Sequence, residues 1–242
     1  MWKLYQLLGL PPIMWAVRNP LKIIEFVKVI EGSGIQQDDI ILALGCGKGH
    51  WTLALARKCS RVIGVDNSEA QISIARNFVR HSSIKNKVQF LCGRLEDFSF
   101  PNETFDRVLS FCVLEHIPNL KEVLLEVFRI LKTGGEFHAS VDSLESLTDP
   151  ILLAKHQKDH DVLQYFSQDA LYRLFQDIGF EVLEITPVFT SDYAQREFEK
   201  RVNSSYKYGL VKRLITCYRL LAEDRNSKSG KGIMLIGRAR RS

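Results

Sequence analysis

The sequence predicts an α/β protein built on a mostly parallel sheet. Three observations carry this reading. Apolar runs rich in β-branched residues alternate with helical patterns, a glycine-rich loop follows the first complete run, and 45% apolar content over 242 residues suffices for a packed core. The runs predict seven strands, at residues 40–44, 61–66, 88–92, 106–111, 136–141, 181–186 and 233–238.

Taken in order, residues 1–32 read as leading helices, an N-terminal helical addition. After the second strand, "SEAQ" at Ser68 to Gln71 is a capping box: the serine oxygen and the glutamine side chain satisfy free N–H groups and open a helix to about residue 81. "LKEVLLEVFRILKTGG" is amphipathic and is expected to remain helical up to Gly134, whereas "SQDALYRLFQDIGF" is capped by Ser167 and closed by Gly179. Residues 190–230 place a charged helical insertion before the last strand, suited to cap a substrate, ending in the loop "EDRNSKSGKG". No internal repeat interrupts this order, so a single domain over 1–242 is the simplest organisation.

Composition narrows the function. A net charge of +5 is modest for this length and makes nucleic acid no default partner. The five cysteines, Cys46, Cys59, Cys92, Cys112 and Cys217, lack C-x-x-C spacing and fit a reducing, cytoplasmic setting. Neither they nor the histidines show metal-ligand spacing, so no metal is expected. The first twenty residues are apolar but broken by Pro11 and Pro12, and imply neither a cleaved signal nor a membrane span.

The loop "ILALGCGKGHW" raises the question of its ligand. Gly45, Gly47 and Gly49 give G-x-G-x-G, with His50 where a dinucleotide fingerprint needs glycine. Lys48 is followed by Gly49 and His50, so the loop does not end as a Walker A loop must. Asp66, 21 residues beyond Gly45, ends the second strand where a carboxylate can accept from both ribose hydroxyls. The physical reading is nucleoside binding without pyrophosphate.

"LGCGKG", "VIGVDNS", "FDRVLSFCVLEHI" and "LKTGGEF", in this order and spacing, resemble the successive motifs of class I S-adenosylmethionine-dependent methyltransferases of the small-molecule type. The match extends over about residues 38–141, the cofactor-binding core, and "GFEVLEI" with "KGIMLIGRAR" resembles the family's last two strands. The resemblance implies a Rossmann-like seven-stranded sheet with helices on both faces and the last strand antiparallel between its neighbours. It implies S-adenosylmethionine as cofactor. Gly45, Cys46 and Gly47 would bring the backbone against its methionine portion and Asp66 would bind the ribose. Asn67 would lie beside the adenine, and Leu95 and Glu96 of "GRLEDFSF" would line its far edge. Phe111 and Cys112 would face the sulfonium and the methyl acceptor.

Two positions depart from the family pattern: Ala43 and Arg94 stand where carboxylates are usual, a loss of hydrogen bonds worth about tenfold to a hundredfold in affinity. Catalysis needs positioning more than a base, unless the acceptor carries a proton. His116 and His160 are the candidate catalytic residues, the second because "KDHDVLQYFS" resembles a His-Asp pair of quinone-biosynthesis methyltransferases. His50, His81, His138 and His156 are assigned to solvent or to neighbouring partners, and Trp51 to helix packing or the wall of the methionine site. The tetrapeptide N-P-P-[YF] is absent after the fourth strand, which argues against the base and amide N-methylating branch.

The expected function is therefore methyl transfer to a small organic or lipid-like acceptor; the alternative is a catalytically silent nucleoside-binding or scaffold protein. In "YKYGLVKRLITCYRLL", Leu210, Val211, Leu214 and Leu221 are placed on one stripe, with Lys207, Lys212, Arg213 and Arg219 mostly elsewhere. That helix packs on the sheet or, with Trp2, Leu4, Leu7, Leu8 and Trp15, makes a peripheral membrane contact.

Overall fold

In the computed structural model, which describes residues 17–80, 82–204, 208–226 and 230–242, seven strands form one sheet. They are β1 Ile40–Leu44, β2 Arg61–Asp66, β3 Val88–Cys92, β4 Phe105–Phe111, β5 Leu131–Asp142, β6 Glu181–Val188 and β7 Met234–Arg240. Their spatial order is β3-β2-β1-β4-β5-β7-β6. The first five run parallel, and β7 lies antiparallel between β5 and β6, as the resemblance implies.

Alternation of side chains divides the core into two layers. From β1, Ile41 and Ala43 join the apolar cluster shared with α1 (Pro20–Glu31), α2 (His50–Leu55) and α3 (Glu69–Arg80). Leu42 and Leu44 point the other way, against α4 (Leu120–Ile130) and α6 (Gln168–Ile178). The first layer also takes in α5 (Pro150–Asp159), α7 (Asp192–Asn203) and α8 (Leu210–Asn226). Helix starts follow local chemistry: Asn19 accepts the N–H of Leu21 with Pro20 next, and Ser167 accepts the N–H of Ala170.

The predicted bounds of β1, β2 and β3 hold, and α6 ends at Gly179 with φ 107. The helix expected up to Gly134 ends at Ile130 instead. Leu131 turns extended, is fully buried and pairs with Phe105, so that "LKTGG" opens β5. Of the predicted N-terminal helices, α1 falls within the described residues; Trp2, Leu4, Leu7, Leu8 and Trp15 lie outside them, as do His81 and Lys207. The 190–230 insertion is helical in α7 and α8, and α8 runs to Asn226, so that "EDRN" of the predicted loop is helix. Among the described residues, no helix is long and apolar enough to cross a membrane.

Candidate functional site

After β3 the chain crosses back to place β4 beside β1, and this reversal of strand order leaves a crevice at the carboxyl ends of the strands. There the structure has a cavity of about 420 Å3, within the range of small-molecule sites. Gly45, Asp66, Asn67, Leu95 and Glu96 line it, with Phe111, Cys112 and His116 at its β4 side.

The glycine loop is shaped by two constraints. Gly45 sits at φ 65, and a Cβ there would lie 2.2 Å from Cγ2 of Val113. Gly47, at φ 51, donates its N–H to Oδ2 of Asp66 at 2.7 Å, while the Ser68 N–H reaches Oδ1 at 3.0 Å. Asp66 is thereby held by the loop and by the turn into α3, and each carboxylate oxygen keeps a lone pair for a further donor.

Not every residue expected here faces the cavity. Cys46 is buried against Gly64, burial pushes its thiol pKa up, and neither it nor Gly47 is a lining residue. Ala43 is 3% exposed and joins the apolar core, apart from the cavity lining. Arg94 does line the cavity; its N–H donates to Asp97 at 2.8 Å and its guanidinium pairs with the same carboxylate at 3.7 Å, an exposed contact. Trp51 stacks on Phe26 with centroids 4.4 Å apart and lies 5.8 Å from Phe111, so it backs the wall at the end of β4.

Beyond Phe111 lies a buried polar cluster. Cys112 adopts φ 49, unusual for a residue with a side chain, and its N–H is held by the Ser140 carbonyl at 3.0 Å. Its Sγ lies 3.2 Å from Oε1 of Glu25 and 3.7 Å from Oδ1 of Asp142. Glu25, wholly buried on α1, also accepts from the Ser140 hydroxyl at 2.6 Å and pairs with Lys22 at 2.9 Å. From Asp142 the cluster continues to Nε2 of His156 at 3.6 Å, whose Nδ1 is 3.1 Å from the Tyr165 hydroxyl. Glu115 accepts the Asp142 N–H through Oε1 at 3.3 Å, and among the described residues its Oε2 has no hydrogen-bond partner.

The electrostatics follow from this burial. Desolvation pushes the Cys112 thiol well up, reinforced by the Glu25 charge. Burial, with Asp142 beside it, raises Glu115 to about 8. Burial alone would lower Lys22, but Cys112, Glu25 and Asp142 outweigh it and hold the ammonium firmly charged. Desolvation lowers His156 against the opposing pull of Asp142, and it raises Tyr165 to about 12. Cys112, Glu115 and Asp142 bring ligand atoms within 4.8 Å of one another, a donor set that suits a cation. The Lys22 ammonium interacts with this same group and supplies positive charge there.

The two candidate histidines part company. His116 lines the cavity with Nδ1 3.2 Å from the Asp161 carbonyl, while His160 is exposed at the end of α5. His156, assigned from sequence to solvent or to satisfied neighbours, is 5% exposed and is the histidine that reaches Asp142. The sequence reading did not single out Lys22, Glu25, Glu115, Asp142 or Tyr165 as site residues. The one local signal was Glu25, an acid inside the apolar run "KIIEFV".

Residues 42–139 match the family described as "Methyltransferase domain". The chain is 28% identical over 163 residues to the sterol 24-C-methyltransferase of Saccharomyces cerevisiae, covering 62% of this chain and 41% of that one. It is 34% identical over 128 residues to the arsenite methyltransferase of Mus musculus, covering 48% and 34%. With the demethylmenaquinone methyltransferase of Symbiobacterium thermophilum it shares 35% over 102 residues, 41% of each chain. The chain thus spans less than half the length of these curated relatives. Among solved structures, the geranyl diphosphate C-methyltransferase of Streptomyces coelicolor, in complex with Mg2+, geranyl diphosphate and S-adenosyl-L-homocysteine, superposes with a TM-score of 0.70 at 18% identity, over 90% of this chain and 77% of that one.

Proposed function

We propose, from the match of residues 42–139 to the methyltransferase-domain family, that the chain binds S-adenosylmethionine and transfers its methyl group to a small organic or lipid-like acceptor. The observation that carries this is Asp66, fixed by two backbone N–H groups at the rim of the cavity with an acceptor site left on each oxygen. The residues present fit the cofactor: a carboxylate for the ribose diol, the apolar side chains of Leu95 and Val65 for a flat base, and a glycine loop for close backbone approach. When bound, S-adenosylmethionine supplies a methyl group on a sulfonium that leaves as a neutral thioether.

The chain's part is to position and to exclude water. Phe111 and Cys112 line the β4 side of the cavity, with Glu25 behind the Cys112 thiol, and the proposed acceptor position is beside Cys112. With Tyr165 donating to Nδ1 of His156, the Nε2–H faces Asp142 and orients that carboxylate. For an acceptor carrying an O–H or N–H, Asp142 takes the proton as the new bond to carbon forms, and His156 is its positioning residue. His116, fixed to the Asp161 carbonyl through Nδ1, holds the single turn that closes the other side of the cavity.

Isothermal titration with S-adenosylmethionine and S-adenosylhomocysteine tests the reading. Micromolar binding of both is expected, since Ala43 lies apart from the cavity and the one hydrogen-bonding carboxylate missing at Arg94 costs about 0.5–1.5 kcal/mol. No binding of either at millimolar ligand overturns the proposal and favours a silent scaffold.

A further inference from the structure

Helix α8 departs from its sequence pattern at two positions, Val211 and Arg213, while Leu210, Leu214 and Leu221 pack against the core as expected. Its buried face carries Arg213, Thr216, Cys217 and Leu220, and Arg213 donates to the Val17 carbonyl at 3.2 Å. Its outer face carries Val211, Ile215 and Tyr218, which are 70%, 54% and 75% exposed. These residues are spaced i, i+4, i+7 and form one continuous apolar ridge. Lys212 and Arg219, each one residue on from a ridge position, are exposed along a single flank of it. On that flank Arg219 pairs with Glu223 at 3.2 Å and lies over the Tyr193 ring, and Lys212 feels the Glu197 charge.

We propose that this ridge lies on an anionic lipid surface, with α8 parallel to it. An apolar strip bordered by cations is what an interfacial helix presents to acyl chains and phosphate headgroups together. A protein partner would be expected to find a broader apolar face than three side chains. The position suits the proposed chemistry, since α8 packs on α1, the helix that sends Lys22 and Glu25 to the acceptor side of Cys112. A lipid-like acceptor drawn from that surface therefore has a short path to the site. The inference rests on the lipid-like part of the proposed function and not on cofactor binding.

The test uses the full chain and sedimentation with phosphatidylcholine vesicles, with and without about one third phosphatidylglycerol. Pelleting with the anionic vesicles alone is expected, weakening several-fold between roughly 50 and 300 mM salt. Val211→Asp with Ile215→Asp should reduce the bound fraction by about tenfold or more, and Lys212→Glu by a smaller factor. Because these positions are exposed, melting temperature and S-adenosylhomocysteine affinity should stay unchanged; Tyr218→Ser provides a milder variant should the double change disturb folding. Absence of pelleting with anionic vesicles, or pelleting indifferent to these changes, overturns the proposal. So does a concentration-dependent dimer in sedimentation velocity that Ile215→Asp dissolves, since the ridge then belongs to a second copy. Lipid binding can fail while S-adenosylhomocysteine still binds, which refutes this inference alone; loss of S-adenosylhomocysteine binding in the unchanged protein refutes the cofactor reading alone.

Discussion

Replacing Asp66 by alanine tests the cofactor site where its geometry is most defined. In the folded protein Oδ2 accepts the Gly47 N–H at 2.7 Å and Oδ1 accepts the Ser68 N–H at 3.0 Å. The remaining acceptor sites are those proposed for the two ribose hydroxyls. A hydrogen bond to a charged acceptor contributes about 1.5–3 kcal/mol net, and the half-exposed position of Asp66 argues for the lower value at each. Two such bonds give about 3 kcal/mol, so Kd for S-adenosylhomocysteine should rise by about a hundredfold. The unliganded protein also loses the carboxylate that fixes the loop, about 1 kcal/mol for each N–H left to water, which should lower the melting temperature by several degrees. Asparagine separates the two effects. Its carbonyl can keep the Ser68 contact, so it should lose less stability than alanine while still binding poorly. Calorimetric titration and thermal melts of the three proteins supply the comparison. A folded Asp66→Ala variant that binds S-adenosylhomocysteine within about threefold of the unchanged protein would refute the assignment.

Three further outcomes are expected. Gly45→Ala drives a Cβ to 2.2 Å from Val113 at a backbone φ of 65, and should destabilise the protein by about 2–3 kcal/mol in denaturant melts; Val113→Ala should recover the steric part but not the ~1 kcal/mol of backbone strain. Glu115 is raised to about 8 from an ordinary 4.5, so the folded state holds a proton that the unfolded chain releases. Stability should therefore fall as pH rises between those values, by up to about 1.4 kcal/mol per pH unit, and Glu115→Gln should abolish that slope; parallel pH profiles would show the carboxyl to be ordinary. Ala43→Asp restores the family's usual acid but places it in apolar core, so the melting temperature should drop with no gain in S-adenosylhomocysteine affinity; tighter binding would show that position 43 reaches the cavity.

The parts of the fold written in local sequence were legible. β1, β2 and β3 are short β-branched runs between clear breaks, and their bounds follow from that pattern. The start of β5 was not, because "LKTGG" continues the apolar spacing of α4 and only pairing of Leu131 with Phe105 shows that the helix has ended. Helix α8 was legible in part. Leu210, Leu214 and Leu221 pack against the core as their stripe predicts, but Val211 is exposed and Arg213 lies inside, where its guanidinium finds the carbonyl of Val17 far away in the chain. An arginine can lie on the inner face when a distant backbone oxygen meets it, and a helical wheel contains no such information.

The same division runs through the site. The cavity residues recognised from sequence belong to four contiguous motifs, after β1, at the end of β2, after β3 and after β4, because each contributes through its own backbone turn. The cluster beside Cys112 joins α1, β4, β5 and α5, and its members touch across up to 115 residues of sequence, as Ser140 and Glu25 do. The histidines make the point most sharply. His156 and His160 stand one helical turn apart with ring centroids 4.7 Å from each other, so no periodicity argument can choose between them. The choice is made by what packs against the helix: Asp142, Tyr165 and Phe198 close over His156, whereas His160 caps the helix in solvent. Asp142, at the last position of β5, thus determines which histidine is held in the buried cluster, and under the proposed function its replacement by asparagine should affect methylation of O–H or N–H acceptors more than His160→Ala does. The reverse order of effects would return the proton to His160 and leave the buried pair a structural device.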